Sequence, residues 1–514
     1  MEFGPKSNEI KTLPLVSPDV LRILPLAFLK QHQVFPIKVE GQKLFLAMVY
    51  PSDHTAIENA RIVAGREIAP VPMSENIYLR SLGHYFSIVP DAQLFKDLDI
   101  DENLVAGNQG SKGVESQIIR VVNRLVEIAV EKRASDIHME PQRNGFFVRI
   151  RIDGMLNTIH QFPLSIQSHL VSRIKIMAGL DISERRLPQD GQFSFTKGDE
   201  VVGVRVSSIP CEYGEKVVLR VLSRSVLQMD LRELQMPSNM KELLISLIER
   251  PYGLILLTGP TGSGKTTTLY AILKHLLSSY KNIITLEDPI EYELLAHTTR
   301  ELGITQIQVN PKTGMTFATG LRSVLRQDPD VIMVGEIRDQ ETAEITMRAV
   351  MTGHLVLSTL HTSDAPSALN RLVEMGIERY LINSSVALVL AQQLVRLLCP
   401  KCKQPYNPPP ELVKKIFPKD PGALAKIFYK SEGCPLCFQT GYFERRPIFE
   451  LLAVDNEIRN QMEVDPSVEQ LRKTIRRKGT KSLRDFGMDL VLEGLTTFDE
   501  VIRTTVEDYS SYHL

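Results

Sequence analysis

The chain has 514 residues, 43 % of them hydrophobic and 24 % charged, with a formal net charge of −1. At about 150 residues per domain this length calls for three or four units, and the composition excludes a disordered or fibrous chain. A balanced charge with no long basic run argues against a nucleic-acid motor, and no apolar run is long enough to span a bilayer.

The first residues, Met1 to Glu9, lack a basic segment followed by an apolar one, so no signal peptide is expected and a cytoplasmic location is. The five cysteines are then read as thiols or metal ligands rather than disulfides. From about Leu13 to Tyr85 a small α/β pattern runs through a helical piece at Asp19 to Gln33 and a hairpin turning near Gly41. Residues 92–113 are first acidic and then Gly-rich, as in a hinge between an N-terminal domain at 1–91 and a second domain at 114–225.

The second domain opens on a helix in which Val114, Ile118, Val121, Val122, Leu125, Val126 and Ala129 recur at helical spacing. In Phe147 to Ile152 the residues alternate, so Arg149 and Arg151 share a face opposite Val148, Ile150 and Ile152, and Asp153-Gly154 offers a tight turn. Further strands follow around Gln192 to Ser208, where Arg205 points away from Val204 and Val206, and at Glu215 to Leu222. Arginines in strands cannot be buried unpaired; they are either fingers on a nucleotide or part of ordinary solvated or salt-bridged sheet faces. Cys211 stands alone and reads as a small buried residue.

The third unit, 226–514, contains the densest chemistry. The apolar run Leu254 to Leu257 leads into Gly259-Pro260-Thr261-Gly262-Ser263-Gly264-Lys265-Thr266, and an amphipathic helix with Leu269, Ile272, Leu273, Leu276 and Leu277 on one stripe follows. This reads as a P-loop: glycines turn successive N–H groups inward onto phosphate, Lys265 reaches the outer phosphates and Thr266 holds Mg²⁺. Apolar runs at Ile283 to Leu286, Val331 to Val334 and Leu355 to Leu357 alternate with helical stretches, which predicts a parallel sheet covered on both sides. Polar residues follow each run, and ligands collect beyond the carboxyl ends of such strands. Glu336 is placed like a Walker B acid, although Gly335 stands where an aspartate is usual; Glu287 is placed to polarise water, and His361 to sense a γ-phosphate. Helix capping by the two acids, and a purely structural histidine, are the competing readings.

Cys399-x-x-Cys402 and Cys434-x-x-Cys437 form two knuckles that can present four thiolates to a structural Zn²⁺, with free thiols or a redox pair as the alternative. The module is expected over 396–445, followed by a helical C-terminal region at 450–514. There Arg476-Arg477-Lys478 reads as a solvated helix end rather than a nucleic-acid patch.

Taken together, these motifs resemble the GspE/PilB family of secretion ATPases, which serve type II secretion and type IV pilus systems. The resemblance spans Val114 to Asp508. It rests on Ala134-Ser135-Asp136-Ile137-His138-Met139-Glu140-Pro141, Glu184 to Gly191, the P-loop, Leu286 to Tyr292, Arg326 to Asp339, and Gly353-His354 to Leu360-His361-Thr362. It implies an α/β fold with a RecA-like P-loop core, a PAS-like α+β second domain, a small N-terminal α/β domain and a Cys₄ zinc module, assembled as a homohexamer. ATP, Mg²⁺ and a structural Zn²⁺ are the implied cofactors. Lys265 and Thr266 would bind phosphate and Mg²⁺, Glu336 and Glu287 would serve hydrolysis, His361 would respond to the γ-phosphate, and Arg186 and Arg205 would reach the nucleotide. The implied partners are an inner-membrane platform protein and a docking partner of the N-terminal domain, with no nucleic acid. The zinc module resembles extension or secretion members rather than pilus retraction ATPases. The Arg-Leu-Gly-led stretch by which some relatives bind cyclic di-GMP is not seen. Two rival functions on the same core are a nucleic-acid translocase and a nucleotide-dependent binding switch.

Overall fold

The computed structural model describes residues 16–21, 23–75, 77–78, 81–82, 111–198, 200–222, 230–277, 280–294, 303–417 and 421–505. The proposed hinge at 92–113 therefore lies almost wholly outside the described residues; the second domain's first helix already runs from Ser111 to Glu131. The chain forms two compact units. One comprises Met1–Leu222 with Cys399–Gln404 and Ser431–Phe443, the other Ser223–Leu398, Pro405–Lys430 and Glu444–Leu514.

In the first unit, strands Val34–Glu40, Lys43–Met48 and Glu67–Pro72 form a three-stranded sheet in that order. Helix His54–Ala64 connects the parallel pair; Asp53 caps it by accepting from Ala56 N at 3.0 Å, and Gly65 ends it in the left-handed region. The helical piece expected at Asp19 to Gln33 is two helices, Pro18–Leu21 and Leu26–His32. Pro25, extended and without an N–H, breaks the run and starts the second one.

The unit's larger sheet has six antiparallel strands in the order Met155–Phe162, Gly145–Ile152, Asp136–Gln142, Gly214–Leu222, Glu200–Cys211, Gln189–Lys197. Asp153 and Gly154, with φ 48° and 83°, make the tight turn between the first two. Ile118, Val121, Val122, Leu125, Val126 and Ala129 of helix Ser111–Glu131 share a core with Phe146, Val148 and Ile150. The polar alternates form a ladder: Glu140 contacts Arg149 Nη2 at 2.7 Å and Lys216 Nζ at 2.8 Å, and Asp136 accepts from Arg220 Nε at 3.1 Å. Lys175, 1 % exposed, is paired with buried Glu215. Cys211 is exposed, not buried, because it sits where its strand gives way to the turn at Glu212-Tyr213.

The second unit is built on a seven-stranded sheet in the order Ile304–Gln308, Ile283–Glu287, Val331–Val334, Leu355–Leu360, Gly253–Thr258, Val386–Leu398, Tyr442–Ala453. The first six are parallel. Successive side chains of a strand face opposite ways, and every residue of Gly253–Thr258, Ile283–Glu287, Val331–Val334 and Leu355–Leu360 is buried, so both faces are covered. Helices Asn456–Val464, Val468–Arg477, Leu483–Leu492 and Phe498–Thr504 complete the unit. Arg477 and Lys478 are ion-paired to Glu457 and Asp455.

Candidate active site and cysteine cluster

Strand Gly253–Thr258 opens directly into the Gly-rich loop, and helix Lys265–Leu276 begins where the loop ends. Gly259, Gly262 and Gly264 have φ of 147°, 79° and 89°, which a side chain would strain. No side chain caps the helix, leaving its first N–H groups for another acceptor. Ser263 is 2 % exposed and its Oγ has no hydrogen-bond partner, so the loop contains a buried donor that a phosphate would satisfy. Lys265 Nζ donates to the loop's own carbonyls, Gly259 O at 2.7 Å and Pro260 O at 3.0 Å. Burial pushes its ammonium down to about 8, against the opposing pull of Glu336. Thr266 is exposed on the first helical turn. These groups fit a nucleoside polyphosphate with its Mg²⁺.

Glu336 follows strand Val331–Val334. Gly335 N donates to Leu286 O at 2.8 Å, and a Cβ on Gly335 would lie 3.1 Å from that carbonyl, so an aspartate there would be crowded. Ile337 N is held by Thr359 O at 3.0 Å, which leaves the Glu336 side chain between Arg338 Nη2 at 2.5 Å and His361 Nε2 at 3.3 Å. Burial works to raise its carboxyl, but Arg338 and His361 together hold it below the usual range. Arg338 also reaches Asp288 at 3.4 Å. Glu287 is 4 % exposed and takes hydrogen bonds from Tyr270 Oη, Thr285 Oγ1 (2.7 Å) and Gln306 Nε2 (3.0 Å). The His361 loop is tied to the P-loop strand: Thr362 N donates to Thr258 Oγ1 at 3.0 Å.

Parallel pairing thus brings Lys265, Glu336 and His361 to one end of adjacent strands, with Glu287 beside them on Ile283–Glu287. Arg186 and Arg205 belong to the other unit; Arg186 is 89 % exposed and paired with Glu184 at 3.2 Å. Arg149 and Arg151 belong to the ladder there, with Glu140 and Asp136. Sequence reasoning left four groups of this site without a role: Arg338, Tyr270, Gln306 and Gln392. Gln392 had a visible signal, since Gln392 and Gln393 follow six apolar residues, Val386 to Ala391, in the same strand.

The sulfurs of Cys399, Cys402, Cys434 and Cys437 lie within 4.8 Å of one another. Nearest pairs stand at 3.7 Å (Cys399 and Cys434), 3.8 Å (Cys402 and Cys437) and 3.6 Å (Cys434 and Cys437). Tetrahedral bonds of about 2.3 Å require sulfurs about 3.8 Å apart, so the set fits zinc. Gly433 N, Cys434 N and Gly441 N donate to these sulfurs at 3.2 to 3.3 Å, as second-sphere donors to thiolates do. Around the cluster, Phe438 lies under Lys132 Nζ at 5.0 Å and Phe443 under the Arg133 guanidinium at 4.5 Å.

A Gly-rich loop between a buried parallel strand and a helix, with an acid and a histidine on neighbouring strand ends, defines a P-loop ATPase. Residues 112–503 match the family described as Type II/IV secretion system protein, and residues 13–90 match the MshEN domain. The chain belongs to the Type II/IV secretion system protein family and is one of its ATPases. It is 42 % identical over 507 residues to Type II secretion system protein E of Dickeya dadantii, covering 96 % of this chain and 99 % of that one. It is 39 % identical over 518 residues to the type IV pilus assembly ATPase PilB of Myxococcus xanthus, covering 99 % and 90 %. Among solved structures it resembles the pilus retraction motor PilT with bound ADP at TM-score 0.51 and 25 % identity, over 76 % of this chain and 98 % of that one. The Legionella pneumophila ATPase DotB, at TM-score 0.57 and 22 % identity over 74 % and 94 %, shares the fold. No helix among the described residues is long and apolar enough to cross a membrane.

Proposed function

We propose that this ATPase works as a ring of six at the cytoplasmic face of the inner membrane and powers assembly of a pseudopilus or type IV pilus. Its N-terminal domain would dock on a partner of the machinery, and a membrane platform protein would receive the motion. The observation that carries the reading is the cluster of Lys265, Glu336 and His361 at the ends of three neighbouring strands.

Lys265 exchanges two neutral carbonyls for phosphate oxygens when a nucleotide enters, and Ser263 Oγ gains its missing acceptor. Thr266 would offer a hydroxyl to Mg²⁺, which would neutralise charge on the phosphates. Glu336, kept ionised by Arg338 and His361, accepts a hydrogen bond from the attacking water, while His361 presents Nε2 toward the γ-phosphate. Glu287 already has three donors and acts as a water-polarising group once Gln306 or Tyr270 releases it. Arg186 and Arg205 are proposed fingers; such an arginine is worth about 10³ to 10⁵ in rate, which would couple hydrolysis to domain motion. Cys399, Cys402, Cys434 and Cys437 would hold one Zn²⁺ that stabilises the knuckle.

The test is ATP hydrolysis measured against protein concentration, with Lys265→Ala as control and zinc content read on the same sample. Specific activity that rises with concentration and vanishes in the variant, with about one zinc per chain, supports the ring motor. Nucleotide binding without turnover at any concentration, with or without the membrane partner, would instead favour a binding switch.

A further inference from the structure

Strand Val386–Leu398 runs beside the P-loop strand, with Ala391 in register with Thr258, the last residue before the loop. The next residue, Gln392, is 2 % exposed, and its amide joins two elements. Its Nε2 donates to Ser263 O at 2.9 Å, and its Oε1 accepts from Thr268 Oγ1 at 2.7 Å. The residue also explains two of the loop's glycines. A Cβ on Gly259 would lie 2.3 Å from Gln392 O, and one on Gly264 would lie 2.7 Å from Gln392 Nε2.

We propose that Gln392 is a positioning residue for the nucleotide, holding the Ser263–Gly264 peptide so that Gly264 N–H faces the phosphate nest. In a trans peptide the C=O and N–H point in opposite directions. A Ser263 carbonyl drawn toward the neighbouring strand therefore turns Gly264 N–H the other way, into the concave side of the loop. Gly264, lacking a side chain, does not fix this orientation by itself. The Thr268 arm ties the same amide to the helix that carries Lys265 and Thr266, and Thr268 N donates back to Gly264 O at 3.1 Å. The amide thus locks loop, strand and helix into one frame before ligand arrives.

This inference rests on the P-loop reading, and the experiment separates the two. Full-length wild type, Lys265→Ala, Gln392→Ala and Gln392→Glu are compared by fluorescent ADP titration, ATP steady-state kinetics and thermal melting. Gln392→Ala is expected to weaken ADP affinity and raise KM for ATP about tenfold, with a smaller change in kcat. Gln392→Glu keeps the acceptor for Thr268 but faces Ser263 O with a second acceptor, so it binds more weakly still at pH 8. Relative to wild type at the same pH it recovers as pH falls, because a protonated carboxyl donates again. Both variants melting lower while binding ADP as wild type does would overturn the proposal, leaving the amide a purely structural tie. If Lys265→Ala binds ADP as wild type does, the P-loop reading itself has failed.

Discussion

In the second unit the ionisable groups of the site stand at or beyond the carboxyl ends of strands buried along their whole length, whereas the six-stranded sheet of the first unit carries Asp136, Glu140, Arg149 and Arg220 within its strands. The four strands covered on both faces carry no charge before their carboxyl ends, so the site's charges collect where those strands end and a ligand can enter. An antiparallel sheet can keep one face polar, and there the charges neutralise one another. The difference teaches that charges of the first kind are placed where a ligand can meet them, whereas the paired charges Asp136 with Arg220 and Glu140 with Arg149 are placed to satisfy one another.

The largest effect should come from the strand ends. Lys265→Ala is expected to abolish ATP hydrolysis, and Glu336→Gln to lower it at least about 10²-fold while nucleotide binding persists, as phosphate release and ADP titration would report. Unfolding midpoints close to wild type would sharpen the contrast; a large loss of stability would break it. Within the antiparallel unit the expectation reverses. Lys175→Met leaves Glu215 buried without its partner and should cost about 3–5 kcal/mol in urea unfolding, while Lys175→Met with Glu215→Leu recovers most of that.

The cysteine cluster extends the comparison to a metal. Cys437→Ser, or a strong chelator, should lower zinc content and melt the knuckle, a loss of several kcal/mol for that module, while ADP still binds the P-loop. Loss of nucleotide binding along with zinc would show that the cluster and the strand ends are not separable.

A smaller effect follows from Lys265 itself. Its folded value of about 8 lies below the ordinary 10.5 because burial disfavours the ammonium. Between those values the unfolded chain holds a proton the folded one has lost, so this lysine makes the nucleotide-free protein more stable as pH rises through that window. A bound polyphosphate restores the charge, so ADP binding at pH 9 should take up protons, measured by calorimetry in buffers of different ionisation enthalpy. Glu450 has the opposite sign: burial, then Asp364, pushes it up to about 8, so its contribution is full below about 4.5 and is lost as pH rises toward 8. The smallest change is expected at the surface, where Arg477→Ala removes an exposed pair with Glu457 and should cost less than about 1 kcal/mol.

Contiguous residues alone determined the P-loop, the two cysteine knuckles, the Asp153-Gly154 turn and the buried parallel strands. Each depends on backbone conformation or on side-chain type at short spacing, and such information is local. The break at Pro25 and the exposure of Cys211 were also local, but there a regular pattern outweighed a single residue at an element's end. What only the tertiary structure decided is which distant groups meet. Val331–Val334 must pair with Leu355–Leu360 before Glu336 can reach His361, and Glu287 gains two of its three donors, Gln306 and Tyr270, only when Ile304–Gln308 and helix Lys265–Leu276 close around it. Gln392 grips Thr268 across 124 residues of chain. Parallel pairing joins segments separated by whole helices, so register is set by long-range hydrogen bonding and packing, which leave no short-range mark on the residues they bring together.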